Sequence, residues 1–348
     1  TRVSYALDLT GPSVSVNTGC STALLAVDMA FRALIDHECD IALAGGVDIF
    51  VPQKSGFLYQ PGGIFSKDGH CRPFDSQATG TMFCDGAGVL VLKRMSAALS
   101  DGDRIYAVIR GTAKNNDGAN KASFLAPSVE GQARVIAMAQ AQANVLPQDI
   151  SYIEAHGTGT PLGDPIEVEA LTKVWRAQTD RKQTCWLGCI KGHIGHPTIA
   201  AGVAGLIKAS LCLYHEKIPG TLHFRSPNLQ IDFDNSPFKV VDRLTPYPRS
   251  NKRRIAAVSS FGFGGTNVHT ILEEPPIPVP SGSSRPKHLL LISAKTETAL
   301  DQASTRLKSF LEQHPDTKMS DAAFTLQRGR RYFAKRRFFV CGDRSDAL

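Results

Sequence analysis

Apolar and polar positions change period repeatedly along the chain, and each change marks an element. Residues 13–18 alternate with a period of two and predict a strand. From 21 to 36, Leu24, Leu25, Met29, Leu34 and Ile35 recur at helical spacing and predict a helix. Residues 41–47 form an apolar run containing two glycines, the pattern of a buried strand. Residues 52–88, rich in Gly, Pro, Ser and Asp, read as surface loops. Strands follow at 88–92 and 105–110, a polar glycine-containing loop at 111–128, a helix at 129–143 and a strand at 150–155.

The next helix has a start signal: Asp164 as N-cap, Pro165 first and Glu167 third, the arrangement of a capping box. A strand at 185–190 and a small-residue helix at 199–214 come next, then strands at 255–259 and 268–273 around a glycine-rich turn. Strands alternating with helices imply an α/β domain. The run 273–284, dense in Pro, Ser and Gly, reads as a linker. Beyond it, a strand at 289–294, helices at 296–313 and 319–328, and a strand at 338–341 suggest a small appended α/β unit.

Composition changes this picture only at its edges. With 348 residues, 42% hydrophobic and 20% charged, the chain is globular in type. No run of 18 apolar residues is present, so no membrane-spanning helix is expected. The first residues carry no initiator methionine and no signal-peptide pattern, and read as part of a longer polypeptide. Eight scattered cysteines suggest a reducing cytoplasm, and the one close pair, Cys185 and Cys189, has no second pair to complete a zinc site, so no metal is expected. The net charge of +7 is concentrated in residues 285–348, with 13 basic and 7 acidic residues. The cluster Arg328, Arg330, Arg331, Lys335, Arg336, Arg337 comes without any nucleic-acid motif, so it suits a solvated face or an acidic protein partner better than nucleic acid.

Candidate chemistry begins at Cys20, in Asn17-Thr18-Gly19-Cys20-Ser21-Thr22. It stands where a strand would turn into a helix, a position that favours a thiolate through the helix N-terminus. The stretch alone fits a nucleophile or a buried small hydrophobe equally well. His156 lies in Glu154-Ala155-His156-Gly157-Thr158-Gly159-Thr160, just past a strand, and His196 in Lys191-Gly192-His193-Ile194-Gly195-His196, between strand and helix. Both fall where α/β sheets place ligands. The turn Phe261-Gly262-Phe263-Gly264-Gly265-Thr266 lacks the lysine and helix of a P-loop, but its N–H groups suit an oxyanion hole.

Together these segments resemble the β-ketoacyl synthase (ketosynthase) family, in the branch of type I modular polyketide synthases. Cys20 matches the active-site cysteine, His156 the histidine of the Glu-Ala-His-Gly-Thr-Gly-Thr motif, Lys191 and His196 the lysine and second histidine, and Phe263 the gating phenylalanine. The resemblance spans residues 1–274 and implies a thiolase-like layered αβαβα fold with its first half incomplete. Residues 275–287 would be the linker. Residues 288–348 resemble the ketosynthase–acyltransferase linker subdomain, on Leu291 to Thr296 and Thr325 to Arg330.

The implied reaction is decarboxylative Claisen condensation in polyketide chain elongation. Cys20 would carry the acyl chain, and His156 and His196 would stabilise the enolate of a malonyl-type unit. His156 would also face the departing carboxylate or an activated water. The N–H groups of Cys20 and Phe263 would hold the oxyanion. Lys191 would tune charge around His196 and pair with Glu167. Thr158 and Thr160 would meet the phosphopantetheine arm of an acyl carrier protein, or merely brace their turn. The resemblance implies no cofactor bound by the domain, a neighbouring acyltransferase, a homodimer, and neither nucleic acid nor membrane as partner. It also implies additional strands and helices before Thr1, without which the sheet around Cys20 would expose edges and the piece alone would be poorly stable or inactive.

The chain departs from the family pattern at Asn17 (usually Asp), Gly19 (Ala), His193 (Asn) and Cys84-Asp85-Gly86 (Gly-Glu-Gly), none a catalytic position. The alternative reading is a non-elongating ketosynthase that only transfers or gates the acyl chain; loss of the second histidine is its usual sign, and His196 is present. A degradative thiolase would want a cysteine in the 262–266 loop, which has none.

Overall fold

The computed structural model describes residues 1–119, 121–277, 281–282 and 284–348, so part of the expected linker lies outside the described residues. The chain divides into two compact units, Thr1–Pro276 and Ile277–Leu348.

In the first unit the elements are α1 (Thr22–Ile35), β1 (Ile41–Asp48), β2 (Gly86–Lys93), β3 (Val108–Asn116), α2 (Val129–Ala143), β4 (Ile150–Glu154), α3 (Gly163–Arg176), β5 (Cys185–Gly188), α4 (Ala201–His215), β6 (Phe238–Val240), β7 (Ile255–Phe261) and β8 (Thr266–Glu273), besides shorter turns of helix and strand. Six strands form one sheet in the order β3-β8-β7-β4-β5-β6. The β3, β8 and β7 pairings are antiparallel, and the rest are parallel.

Side chains alternate between the two faces of that sheet, and each face has its own helices. Ile153, Ala257 and Ile271 join one core with Val135, Ile136 and Ala139 of α2 and Leu171 and Trp175 of α3. Tyr152, Ala256, Val258 and Leu272 join another with Leu24 and Val27 of α1 and Leu206, Ala209 and Leu213 of α4. Helices α1 and α4 approach closely at Gly202, where a Cβ would stand 2.7 Å from that of Leu24. Beyond them β1 and β2 pair antiparallel as a second sheet. The layers run helices, six-stranded sheet, helices, two-stranded sheet.

The structure corrects several sequence expectations. Residues 13–18 form no strand. Their alternation supplies extended backbone, but a strand also needs an edge to pair with, and none lies alongside among the described residues. The 41–47 run is a strand but not a buried one: Ile41, Leu43 and Val47, with Val89 and Val91 of β2, are exposed on the sheet face turned away from α1 and α4. The strand expected at 105–110 runs later, and the first third of the expected 111–128 loop belongs to it, because β8 supplies partners as far as Asn116. Gly111 permits this by letting α2 come close, since a Cβ there would lie 2.7 Å from the Ala143 nitrogen. The helical stretch Thr198–His215 is long and apolar enough to cross a membrane by length and composition, yet its buried residues are packed against α1 and the sheet. It is a core helix.

In the second unit β9 (His288–Ala294) and β10 (Lys335–Cys341) pair antiparallel beside α5 (Glu297–Gln313) and α6 (Met319–Arg328). Leu290, Leu311, Met319, Ala323 and Cys341 form its core.

Candidate active site

Cys20 sits in a single 3₁₀ turn, Gly19–Ser21, immediately before α1. The elbow is tied by its own polar side chains. The Thr18 N–H donates to Thr22 Oγ1 at 2.8 Å, Thr18 and Ser21 share a hydroxyl bond of 2.8 Å, and the Gly19 N–H donates to Asn17 Oδ1 at 3.1 Å. Gly19 has φ +65° and faces the 262–266 turn, where a Cβ would meet the Phe263 nitrogen at 3.4 Å. From the other side, a Cβ at Gly262 would stand 2.1 Å from the Thr18 carbonyl oxygen. Two backbones therefore clasp through glycines, and the N–H groups of Phe263 and Cys20 are held at the Cys20 sulfur. Ser260 on β7 donates to the Cys20 carbonyl at 2.8 Å and locks the elbow to the central sheet.

His156 leaves the end of β4 and His196 the loop before α4. Their rings meet edge to face with centroids 5.6 Å apart. One donor atom from each of Cys20, His156 and His196 lies within 4.8 Å of the others. The Phe261 N–H donates to His156 Nδ1 at 3.4 Å, which leaves the proton of a neutral ring on Nε2, free to donate into the site. His196 is buried, placed by Gly195 at φ +82° and by its N–H bond of 2.7 Å to the Met82 carbonyl.

Burial, reinforced by the Lys191 cation, holds both imidazoles well below the ordinary histidine range, so each is neutral at pH 7. Burial also pushes the Cys20 thiol up, against the pull of Lys191 and the two N–H groups. That runs against the thiolate expected at a helix terminus: desolvation outweighs the Lys191 cation and the two N–H groups. The sign is testable. With its pKa above the ordinary value near 9, Cys20 is mostly thiol at pH 7, so its alkylation by iodoacetamide rises about tenfold per pH unit up to pH 8. Peptide mapping by mass spectrometry reads the rate.

The expected capping box at 164–167 does not form. Helix α3 has Leu162 as N-cap and no side-chain cap. Both carboxylates serve the histidine loop instead. Glu167 accepts from the His156 and Gly157 N–H groups at 2.7 and 2.8 Å. Asp164 accepts from Phe74 and Gly159 at 2.7 and 3.0 Å. Both are fully buried, and burial raises each to about 7 against the pull of those donors. Lys191 does not pair with Glu167. Its Nζ donates to the His156 carbonyl, so lysine and glutamate grip the two sides of one peptide stretch.

Thr158 and Thr160 hydroxyls lie 3.1 Å apart, and the Gly163 N–H donates to Thr160 Oγ1 at 3.1 Å, so both brace the turn. Phe263 is half exposed. His193 stands outside the cluster and is exposed.

Three contributors escaped the sequence reading. One is Phe261, through its N–H to His156. The second is the 82–84 segment, taken as plain loop, which pairs with His196. The third is a buried ion pair behind the loop: Lys208 Nζ lies 2.8 Å from Glu154 Oε2, and Glu154 Oε1 accepts the Ile190 N–H at 2.6 Å. Lysine inside an apolar helix was the available signal. Lys208→Met leaves a buried carboxylate uncompensated and lowers stability by about 3 kcal/mol, measured by urea unfolding.

With this geometry in view, known proteins identify the lineage. The beta-ketoacyl synthase N-terminal domain model matches residues 1–98 and its C-terminal counterpart residues 106–225, while a CurL-like polyketide synthase C-terminal model matches 288–348. A component of the phenolphthiocerol/phthiocerol polyketide synthase of Mycobacterium tuberculosis is 47% identical over 337 residues, covering 95% of this chain and 23% of that protein. Erythronolide synthase EryA3 of Saccharopolyspora erythraea is 43% identical over 350 residues, covering all of this chain and 11% of that protein. Ketosynthase twelve of the bacillaene polyketide synthase of Bacillus amyloliquefaciens superposes with a TM-score of 0.92 at 42% identity, over 99% of this chain and 61% of that one. The chain thus spans less than a quarter of these curated relatives. The layered α/β architecture is thiolase-like, and the chain belongs to the β-ketoacyl synthase family, in its modular polyketide synthase branch.

Proposed function

We propose that this chain is a condensing unit that elongates a polyketide by decarboxylative Claisen condensation. The observation that carries the reading is the meeting of Cys20, His156 and His196 within 4.8 Å from three separate segments. The Cys20 thiolate attacks an acyl thioester, and the carrier thiol leaves with a proton. A malonyl-type thioester then enters. His156 and His196, both neutral, donate N–H bonds to its carbonyl oxygen, where negative charge grows as carbon dioxide departs. The enolate carbon attacks the acyl carbonyl on Cys20. The N–H groups of Cys20 and Phe263 hold the tetrahedral oxyanion, and its collapse returns the Cys20 thiolate. Lys191 and Glu167 position the histidine loop rather than touching substrate.

The substrate arrives on the phosphopantetheine arm of an acyl carrier protein, past Thr158 and Thr160. Residues 1–274 form the condensing domain, working as a homodimer, and 288–348 lead toward a neighbouring acyltransferase.

Incubation with an acyl thioester adds one acyl mass to Cys20. Malonyl carrier protein then yields carbon dioxide and a β-ketoacyl product. Acylation without either product supports the alternative, a ketosynthase that only passes the chain on; no acylation overturns both.

A further inference from the structure

The cysteine spacing in the sequence offers no zinc site, yet the fold assembles a donor set that the spacing hides. Cys20 Sγ and one ring nitrogen each of His156 and His196 come within 4.8 Å of one another. A tetrahedral zinc ion, with bonds of about 2.3 Å to sulfur and 2.0–2.1 Å to nitrogen, needs its ligand atoms about 3.5 Å apart. Binding would draw the three atoms closer by up to about 1.3 Å. Soft sulfur and neutral imidazole are the ligands that zinc selects. Three protein ligands with an open fourth position is also the pattern of a site that takes water or another small ligand.

We propose that the Cys20, His156 and His196 triad binds a thiophilic divalent cation, Zn²⁺ above others, and that this ion switches the site off by occupying the nucleophile. The binding stands on the donors alone. The loss of activity rests on the reading of Cys20 as nucleophile.

The ring protons and the nearby charges set how the ion binds. Both rings are neutral at pH 7, so neither carries a second proton that the ion must displace. The Phe261 N–H donates to His156 Nδ1, which leaves the ring proton on Nε2; for Nε2 to take the ion, that proton moves to Nδ1 and the 3.4 Å bond from Phe261 is given up. Binding converts the Cys20 S–H to an S–metal bond and releases one proton, so affinity rises with pH. Lys191 adds a like charge nearby, which the new thiolate offsets.

The test uses the whole chain and needs no substrate. Zn²⁺ slows alkylation of Cys20 at least ~10-fold, read by peptide mapping, and a chelator restores the rate. Co²⁺ in its place gives a sulfur-to-cobalt charge-transfer band and the visible bands of four-coordinate cobalt, both lost in Cys20→Ala. His156→Gln and His196→Gln each weaken Co²⁺ binding at least ~10-fold, since losing a ligand costs no less than losing its outer partner. The seven other free cysteines serve as the internal comparison. Unchanged Cys20 alkylation in wild type at millimolar Zn²⁺ overturns the proposal. So does a cobalt band that survives Cys20→Ala, or one that ignores both histidine variants while their circular dichroism stays that of wild type. Acyl loading and condensation measured in metal-free buffer test the ketosynthase reading separately, so failure of either idea is visible without the other.

Discussion

Cys20→Ala removes acyl loading and condensation together. Intact-mass measurement shows no acyl adduct, and condensation falls by a factor on the order of 10⁶, the cost of deleting a nucleophile from a preorganised site. The fold survives the change. The elbow is held by Thr18, Ser21, Thr22 and Ser260 acting on backbone groups, none of which needs the thiol. Thermal unfolding therefore stays close to wild type. His196→Ala divides what Cys20→Ala merges. Cys20 and the N–H groups around it remain, so the acyl adduct still forms, but one of two donors to the enolate oxygen is gone and condensation drops about 10²–10³-fold. A variant that loses loading and condensation equally would place His196 in the first half-reaction.

The helices were the most legible part of the fold. The helix at 129–143 and the one at 319–328 are found where their apolar periodicity puts them. Helical periodicity is local, whereas strand pairing is not. That is why the 13–18 alternation fails as a strand while β3 extends to Asn116: each outcome is decided by a partner far away in sequence. The site divides in the same way. Cys20, His156, Lys191, His196 and Phe263 carry their signals in short motifs of unusual composition. Asp164 and Glu167 carry a signal too, but a misleading one. Their spacing beside Pro165 satisfies a local rule for helix starts, and a long-range demand from loop 156–159 overrides it. Phe261 offers no sequence signal at all, because its contribution is a backbone N–H placed by the β7 register. Residues 41–47 read as a buried strand although one face of β1 is exposed, because a run of apolar residues does not say how many of its faces are covered.

Glu167→Ala is the sharpest test of that override. If Glu167 were only the third residue of a capping box, its loss would cost about 1 kcal/mol. In this structure it is the acceptor for two buried N–H groups, those of His156 and Gly157, and each left unpaired costs about 1–3 kcal/mol. Stability therefore falls by about 4 kcal/mol, a difference that urea unfolding resolves easily. Glu169→Ala, exposed on the same helix, stays within about 0.5 kcal/mol. Glu167→Gln keeps one acceptor oxygen and turns an NH₂ toward the second N–H, so it falls between the two. Activity follows the same order for a separate reason. Released from Glu167, the His156 peptide is held only at its carbonyl, by Lys191 and the Cys189 thiol, and a shift of about 1 Å in His156 lowers condensation by about 10²-fold. Acyl loading depends on the Cys20 elbow, which Glu167 does not touch, and is retained by the folded fraction. A variant that is destabilised and slow in condensation, yet loads normally once folded, identifies Glu167 as the residue that positions His156.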